Sequence, residues 1–369
     1  MLSVFALDSQ VIQEGLCTGC GACQGLCPYW DSVEGRTIAY FDCVRTDGRC
    51  QRFCPRMPTD IEGLRKAAFP QEMIIDGIGP FRAILLARAA DPQIRAGAQH
   101  GGVVTALCEL ALQEGLIDAA ALTHAQHTLD PEGELVTDPA KVRACSGSTY
   151  QIPPTLSVVN RALQEGRYQK IGIVGTPCKT LAAYKMMYGT PPEGYASVDG
   201  IALVIGLFCG WGLDWEGIRD LAERHADPDS ICHMDIPPSK YHSLQITDSS
   251  GMISVDLDEV VPLVREACHY CADMSCEFAD ISVGGARSAD GWEVDKKWNQ
   301  VIVRSEKGAE LIKLARKKGV LEFKEIPDGA VEKLQNACLG KRRTAIRYLH
   351  EKYGADNLGY LEPSRGQLE

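Results

Sequence analysis

Ile171-Gly172-Ile173-Val174-Gly175-Thr176-Pro177-Cys178 sets the class of the fold. Five apolar or small residues with β-branched content, too short for a helix, read as a buried strand that delivers a cysteine at its carboxyl end. Ile201-Ala-Leu-Val-Ile-Gly-Leu-Phe208 repeats the pattern and delivers Cys209. Upstream, Ala83–Arg88 and Ala119–Leu122 read as strands, and Gly101-Gly102 opens a helical stripe of Val103, Val104, Leu107, Leu110 and Ala111. Downstream, 308–318 and 331–353 read as helices. Continuous apolar strands alternating with helices predict an α/β domain built on a mostly parallel sheet covered on both faces. Asp227-Pro228-Asp229-Ser230 and Pro237-Pro238 read as loops.

Further out, cysteine density divides the chain. It holds sixteen cysteines in 369 residues. Seven lie from Cys17 to Cys54, in a stretch poor in long apolar runs that is expected to depend on metal for its fold. We therefore expect a small ferredoxin-like iron–sulfur domain over 1–70, a large domain over 71–330, and a C-terminal helix with a polar tail over 331–369. Hydrophobic residues make up 45% and charged residues 24%, an ordinary globular balance that excludes a disordered or fibrous chain. A net charge of −11 argues against binding to nucleic acid or anionic membrane surfaces. The first residues lack a basic segment followed by an apolar stretch, so no signal peptide is expected. The clean apolar run at 201–208 falls far short of the roughly 20 residues of a membrane helix. A cytoplasmic protein is the expectation, and in that reducing compartment clustered cysteines are metal ligands more often than disulfides.

Cys17-Thr18-Gly19-Cys20-Gly21-Ala22-Cys23-Gln24-Gly25-Leu26-Cys27-Pro28 has the C-x2-C-x2-C-x3-C-P spacing of bacterial ferredoxins. Three thiolates two residues apart wrap one face of a four-iron cluster, and the fourth leaves for a neighbour. Gly19 and Gly21 let the loop turn tightly and aim N–H groups at sulfur. Zinc closes with four ligands and needs no third C-x2-C step. By ferredoxin logic Cys17, Cys20, Cys23 and Cys54 hold one [4Fe–4S] cluster. Cys27, Cys43 and Cys50 remain for a second. Its fourth ligand is left open between Asp47, another loop residue and none, the last giving a three-iron cluster; a single cluster with spare thiols is the plainer alternative.

In the large domain Cys178 and Cys209 sit at the sheet edge where open α/β sheets place ligands. With Cys268 and Cys271 they make four thiolates, enough for a further cluster; the alternative is that Cys178 and Cys209 are ordinary core cysteines. Cys108, Cys145, Cys232, Cys276 and Cys338 read as structural.

Gly101-Gly102-Val103-Val104-Thr105-Ala106-Leu107, Gly175-Thr176-Pro177-Cys178, Gly206-Leu207-Phe208-Cys209 and Cys268-x2-Cys271 with Ala279-Asp280-Ile281-Ser282-Val283-Gly284 occur in that order. Together, with Gly291-Trp292 and the Val301–Arg304 strand, they resemble the beta subunit family of coenzyme F420-reducing hydrogenase and F420-dependent formate dehydrogenase. The resemblance covers residue 17 to about 325. It implies FAD and iron–sulfur clusters, ligation by Cys178, Cys209, Cys268 and Cys271, and electron transfer between a deazaflavin coenzyme and a partner subunit. The thiol groupings put the [4Fe–4S] clusters at two or three, and a catalytic subunit of the hydrogenase, formate dehydrogenase or heterodisulfide reductase type is the expected partner. Lys179 stands where the family often has Gln, and Glu293–Asn299 looks like an insertion.

No G-x-G-x-x-G follows a strand, which disfavours an ordinary Rossmann dinucleotide site. For the flavin, Gly101-Gly102 ahead of an apolar helix offers free N–H groups and a macrodipole to a pyrophosphate, with Thr105 adding a hydroxyl. Ser146, Ser148 and Tyr150 form a second polar loop, and Gly175-Thr176-Pro177 could press on the isoalloxazine. The phosphate and carboxylates of a deazaflavin coenzyme call for local basic residues, with Lys179, Lys185, Arg287 and Arg304 as candidates; Asp280 could orient a ligand or merely cap a turn. No side-chain acid or base is assigned. The alternatives are the same core with another acceptor, such as a nicotinamide or a quinone-like compound, and a pure electron-transfer subunit.

Overall fold

The apolar runs pair into an eight-stranded sheet in a computed structural model describing residues 6–41, 43–70, 72–125, 129–237, 242–286, 295 and 297–368. A cysteine-rich head comes first. It carries the hairpin β1 (Trp30–Val33) and β2 (Arg36–Ala39), then α1 (Arg49–Phe53) and α2 (Ile61–Ala68). A second hairpin, β3 (Met73–Ile75) and β4 (Gly79–Phe81), leads into β5 (Ala83–Ala89). There follow α3 (Val103–Gln113), β6 (Ala119–Ala125), β7 (Pro131–Val136), α4 (Thr155–Gln164), β8 (Ile171–Gly175), α5 (Pro177–Tyr188) and β9 (Ile201–Leu207).

After β9 comes a segment read from sequence only as loops. It contains α6 (Trp215–His225) and the antiparallel meander β10 (His233–Asp235), β11 (Ser243–Asp248) and β12 (Gly251–Asp256). Its short strands bury Met234, Leu244, Ile246 and Val255 against Ile218 and Leu221 of α6. The chain then completes the large sheet with β13 (Ile281–Gly285), β14 (Asn299–Val303) and, after α7 (Glu306–Lys318), β15 (Leu321–Lys324), and ends beyond α8 (Ala330–Tyr353).

The order across the sheet is β15-β5-β14-β13-β9-β8-β6-β7. Only the joins β13/β9, β9/β8 and β8/β6 are parallel; β15/β5, β5/β14, β14/β13 and β6/β7 are antiparallel. The expectation of a mostly parallel sheet is corrected to a mixed one. The physical reason is β14, which is buried along its whole length and slots antiparallel between β5 and β13. A strand buried on both faces has the same apolar pattern in either direction, so its sequence does not report its polarity.

Because β14 opposes both neighbours, β5 runs with β13, and thus with β9, β8 and β6. Their carboxyl ends share one edge, joined there by the start of β14. Leu107 and Leu110 of α3 with Leu311 and Ala315 of α7 cover one face over Ile205, Ile281, Val283 and Val301. Leu156 and Val159 of α4 with Ala182 and Ala183 of α5 cover the other over Ala121, Ile173 and Val204. Cys20, Ala22, Phe53, Leu64 and Phe69 of the head belong to that second core. The C-terminal segment, expected as a helix and a polar tail, buries Leu349, Leu358, Tyr360 and Leu361 with Leu7, Val11, Leu16 and Trp30 of the head.

Candidate metal centres

The loop from Cys17 is shaped by glycine. Gly19 and Gly21 have φ of 72° and 84°, a region side chains rarely adopt. A Cβ on Gly21 would lie 2.5 Å from the Pro154 carbonyl oxygen, and one on Gly19 2.6 Å from that of Gly35. The buried Asn160 amide donates to the carbonyls of Gln24 (2.7 Å), Ala22 (3.0 Å) and Gly21 (3.5 Å), and the Leu156 N–H donates to Cys20 O (3.2 Å). Arg265 donates to Cys17 O at 3.2 Å and Gly35 O at 3.0 Å. The loop is thereby fixed to α4 and to the segment before Cys268.

Cys17, Cys20, Cys23 and Cys54 line one cavity with Thr37, Pro55 and Arg56. Burial, then the charges of Cys178, Cys54 and Cys17, push the Cys20 thiol far up. Burial, then Cys17 and Cys20, push Cys23 up. Cys54 rises to about 11 through burial, opposed by Lys185. Three buried thiols pushed up in this way, gathered with Cys17 around one cavity, cannot all ionise without a cation among them. The Arg56 backbone N–H donates to Cys54 Sγ at 3.4 Å, and the Arg56 side-chain Nε is buried with no hydrogen-bond partner among the described residues. A sulfur-rich anionic group of four-iron type fits this donor set: thiolates for iron, and N–H groups for sulfur.

The second set is assembled from separate elements. Cys178 opens α5 at the end of β8, Cys209 follows β9, and Cys268 and Cys271 come from the segment ahead of β13. Cys209 is pushed up to about 12 by burial and by Cys268, Cys178 and Cys271, against Lys341. Burial raises Cys268 too, although Gly212 N–H donates to its sulfur at 3.3 Å. Cys271 goes the other way: burial works to raise it, but Lys341 and Arg56 together hold it below the usual thiol value. Cys20 and Cys178 are buried in one cluster with Cys268 packed against it, so the two sets abut. Lys179, buried and pushed down to about 8 by that burial, lies between them, feels Cys178, Cys20 and Cys209, and donates to Thr155 Oγ1 at 2.8 Å.

Cys27, Cys43 and Cys50 pack in the apolar cluster that also holds Cys17, Cys23 and Cys54, and the charge of Cys50 is felt at Cys23. Asp47, weighed as their fourth ligand, is bound by Arg52 through contacts of 2.8 and 2.9 Å.

The residues considered for a flavin gather along the carboxyl edge of the sheet. Gly102 has φ of 76° at the start of α3, and Thr105 is buried one turn on. The first helical N–H, that of Val103, is taken by Asn299 Oδ1 at 3.2 Å, while Asn299 Nδ2 donates to Gly284 O at 3.1 Å. Ser146 Oγ donates to Arg143 O at 2.7 Å. Ser148 donates to Gln99 Oε1, and Gln99 Nε2 donates to Asp235 Oδ1 at 2.6 Å and faces Tyr150 OH at 3.5 Å. Thr176 Oγ1 lies 3.3 Å from Cys178 Sγ, and a Cβ on Gly175 would meet Lys179 at 2.7 Å. Sequence reasoning missed Gln99, Asp235 and Asn299. Gln99 stood just ahead of the double glycine, and Asn299 at the end of the stretch read as an insertion.

Of the basic candidates, Lys185 donates to Cys54 O and Thr59 Oγ1, both at 2.6 Å. Arg304 is fully buried and donates to Pro80 O (2.6 Å), Ser282 Oγ (2.7 Å) and the carbonyls of Ile78 and Ser275 (3.0 Å each). Both are internal ties, so their assignment to an open anion-binding cleft is corrected. Arg287 and Gly291-Trp292 lie outside the described residues. Asp280 sits at the amino end of β13, on the opposite edge, where it accepts from Val204 N at 2.8 Å and Ser305 Oγ at 2.5 Å.

A mixed α/β sheet whose carboxyl edge receives four thiols, with a thiol-rich loop docked beside them, defines a class of cysteine-rich α/β proteins. Two models of the family described as "Coenzyme F420 hydrogenase/dehydrogenase, beta subunit" match, the N-terminal one over 84–160 and the C-terminal one over 168–329. The chain is 32% identical to the coenzyme F420 hydrogenase beta subunit of Methanococcus voltae over 254 residues, covering 68% of this chain and 86% of that one. It is 25% identical to a subunit of the F(420)H(2) dehydrogenase of Methanosarcina mazei, covering 93% and 94%. A chain in a solved structure of the F420-reducing [NiFe] hydrogenase complex from Methanosarcina barkeri superposes with a TM-score of 0.68 at 25% identity, over 76% of this chain and 95% of that one. The protein belongs to the coenzyme F420 hydrogenase/dehydrogenase beta subunit family.

Proposed function

We propose that the protein is the iron–sulfur flavoprotein subunit of a larger oxidoreductase, carrying electrons between a catalytic partner subunit and the soluble deazaflavin coenzyme F420. The partner would be of the hydrogenase, formate dehydrogenase or heterodisulfide reductase type. The observation that supports this most is the abutment of the two four-thiol sets, with Cys20 of one and Cys178 of the other buried in a single cluster. Cys17, Cys20, Cys23 and Cys54 hold one [4Fe–4S] cluster in this reading, and Cys178, Cys209, Cys268 and Cys271 another. Cys27, Cys43 and Cys50 are left for a third.

FAD, when bound, exchanges electron pairs with a deazaflavin and single electrons with iron–sulfur clusters. The chain's own part is to hold it. Gly101, Gly102 and Thr105 are our candidates for its phosphates, and Ser146, Ser148, Tyr150, Gly175, Thr176 and Pro177 for the remainder. The Val103 N–H already serves Asn299, so a phosphate would use the donors one residue further along. Among the described residues no helix is long and apolar enough to cross a membrane. The cytoplasm is the proposed site of action, as a soluble carrier requires.

Anaerobic assay of iron, sulfide and flavin per chain tests the cofactors; about eight to twelve irons and one flavin are expected, following from two or three four-iron clusters. Bleaching of the deazaflavin by the anaerobic holoprotein with an artificial partner tests the substrate. A second reading, the same core serving another acceptor, is favoured by the internal placement of Lys185 and Arg304. It gains ground if F420 stays unreduced while flavin and iron are intact. A preparation with zinc in place of iron and no yellow chromophore would overturn both.

A further inference from the structure

The thiols of the inner set come from residues inside the matched family region, but two positive charges reach them from outside it. Lys341 lies on α8, beyond residue 329 where the match ends. Its ammonium donates to the Cys209 carbonyl oxygen at 2.7 Å. Arg56 comes from the head and donates to the carbonyls of Ala267 at 3.0 Å and Tyr270 at 3.4 Å, on either side of Cys268. Tyr360 closes over Arg56, its hydroxyl donating to Tyr270 O at 2.7 Å. α8 is held in place by Leu334 and Cys338, which pack on Ile78, Met274 and Ile302. Lys341 therefore sits at the thiols because its helix is bolted to the sheet, not because a flexible side chain has strayed there.

A buried ammonium is costly unless negative charge compensates it. Lys341 lies against the Cys209 carbonyl oxygen, where the charges of Cys271, Cys209, Asp273 and Cys268 act on it. A carbonyl and one shared carboxylate are modest compensation, whereas four cysteinates around iron and sulfide carry net negative charge that grows by one on reduction. In a site closed to water that charge difference couples strongly to a neighbouring cation.

We propose that Lys341 is a positioning residue for this site: its ammonium, fixed on the Cys209 carbonyl by a helix packed on the sheet, favours the reduced state of the cluster that the four cysteines carry. The inference rests on the reading that Cys178, Cys209, Cys268 and Cys271 bind a cluster. It places a determinant of the redox poise in the C-terminal helix, which the family match does not reach.

The test compares anaerobic holoprotein of the wild type, Lys341→Met and Lys341→Arg by iron content and by reductive titration followed through the paramagnetic signal of the reduced clusters. The signal of this site is the one that Cys209→Ala lacks. Methionine keeps the length of the side chain and removes the charge; arginine keeps the charge. We expect K341M to shift the midpoint of that signal to lower potential, or to lose the iron of that site alone, and K341R to retain both. Unchanged midpoint and iron in K341M overturn the inference and leave the cluster assignment standing. Equal loss in K341M and K341R makes the residue a packing element and also overturns it. A wild-type protein without iron sinks the cluster assignment itself, and the inference with it.

Discussion

The two four-thiol sets are built by opposite routes. Cys17, Cys20 and Cys23 come from one seven-residue loop, bent by Gly19 and Gly21 and supported by Asn160 from a neighbouring helix. Cys178, Cys209, Cys268 and Cys271 come from three segments that meet only because β8 and β9 end on the same edge of the sheet. In the first set one short loop carries the thiols; in the second the sheet edge gathers them. The loop has little apolar mass of its own, whereas the sheet edge is backed by two full cores. Emptying the two sites should therefore have different structural consequences.

The largest expected difference is between Cys20→Ala and Cys209→Ala. Each should lose about four irons per chain. C20A should also lower the thermal midpoint and open the loop at 17–27 to proteolysis, since metal binding contributes folding free energy where the loop itself supplies few apolar side chains. C209A should leave the far-ultraviolet dichroism and the melting of the sheet near wild type. Iron assay, calorimetry and limited proteolysis read all three quantities. If C209A melts the chain while C20A spares it, the comparison is the wrong way round.

Next in size is Gly21→Ala. The added methyl would meet backbone oxygen of Pro154 at 2.5 Å, in a region of φ that alanine disfavours. The strain alone is worth about 1–3 kcal/mol, and the loop or α4 must shift besides. Asn160→Ala should follow closely. It removes the donor shared by three buried carbonyls, at a cost of about 1–3 kcal/mol. Hydrogen exchange confined to 17–27 would sharpen the comparison, because it would show the loop freed while the sheet stays closed. Protection unchanged in that loop would mean that Asn160 supports it less than its hydrogen bonds imply.

These contrasts track what could be seen in advance. The first set was legible because its spacing is local: two-residue steps between cysteines need no fold to interpret. The second could be grouped only by knowing that cysteines at strand ends share an edge, together with the family resemblance. β8, β9, α3 and α8 were legible from apolar runs and helical periodicity. The antiparallel seat of β14 was not, since Gln300–Val303 is buried on both faces and says nothing about direction. The β10–β12 meander was hidden by short strands between turn residues. Lys185 and Arg304 were misread because a basic side chain in sequence gives no sign of the carbonyls waiting for it inside.

Asp47 gives the smallest and sharpest test, because it sits at the position where ferredoxin spacing calls for a cysteine. Arg52 holds its carboxyl below the usual carboxylate range by hydrogen bond and charge, although both side chains keep roughly a third to a half of their surface in water. A depressed folded value means that the contribution to stability is present above the ordinary carboxylate range and is lost as pH falls through the folded one. Exposure limits it to about 0–1 kcal/mol. Asp47→Asn should therefore cost a few tenths of a kcal/mol at neutral pH, nothing in acid, and no iron. Loss of iron in D47N at neutral pH would mean that the carboxylate leaves Arg52 for metal in the loaded protein. In that case the head would share with the sheet edge the property of gathering ligands that spacing alone does not reveal.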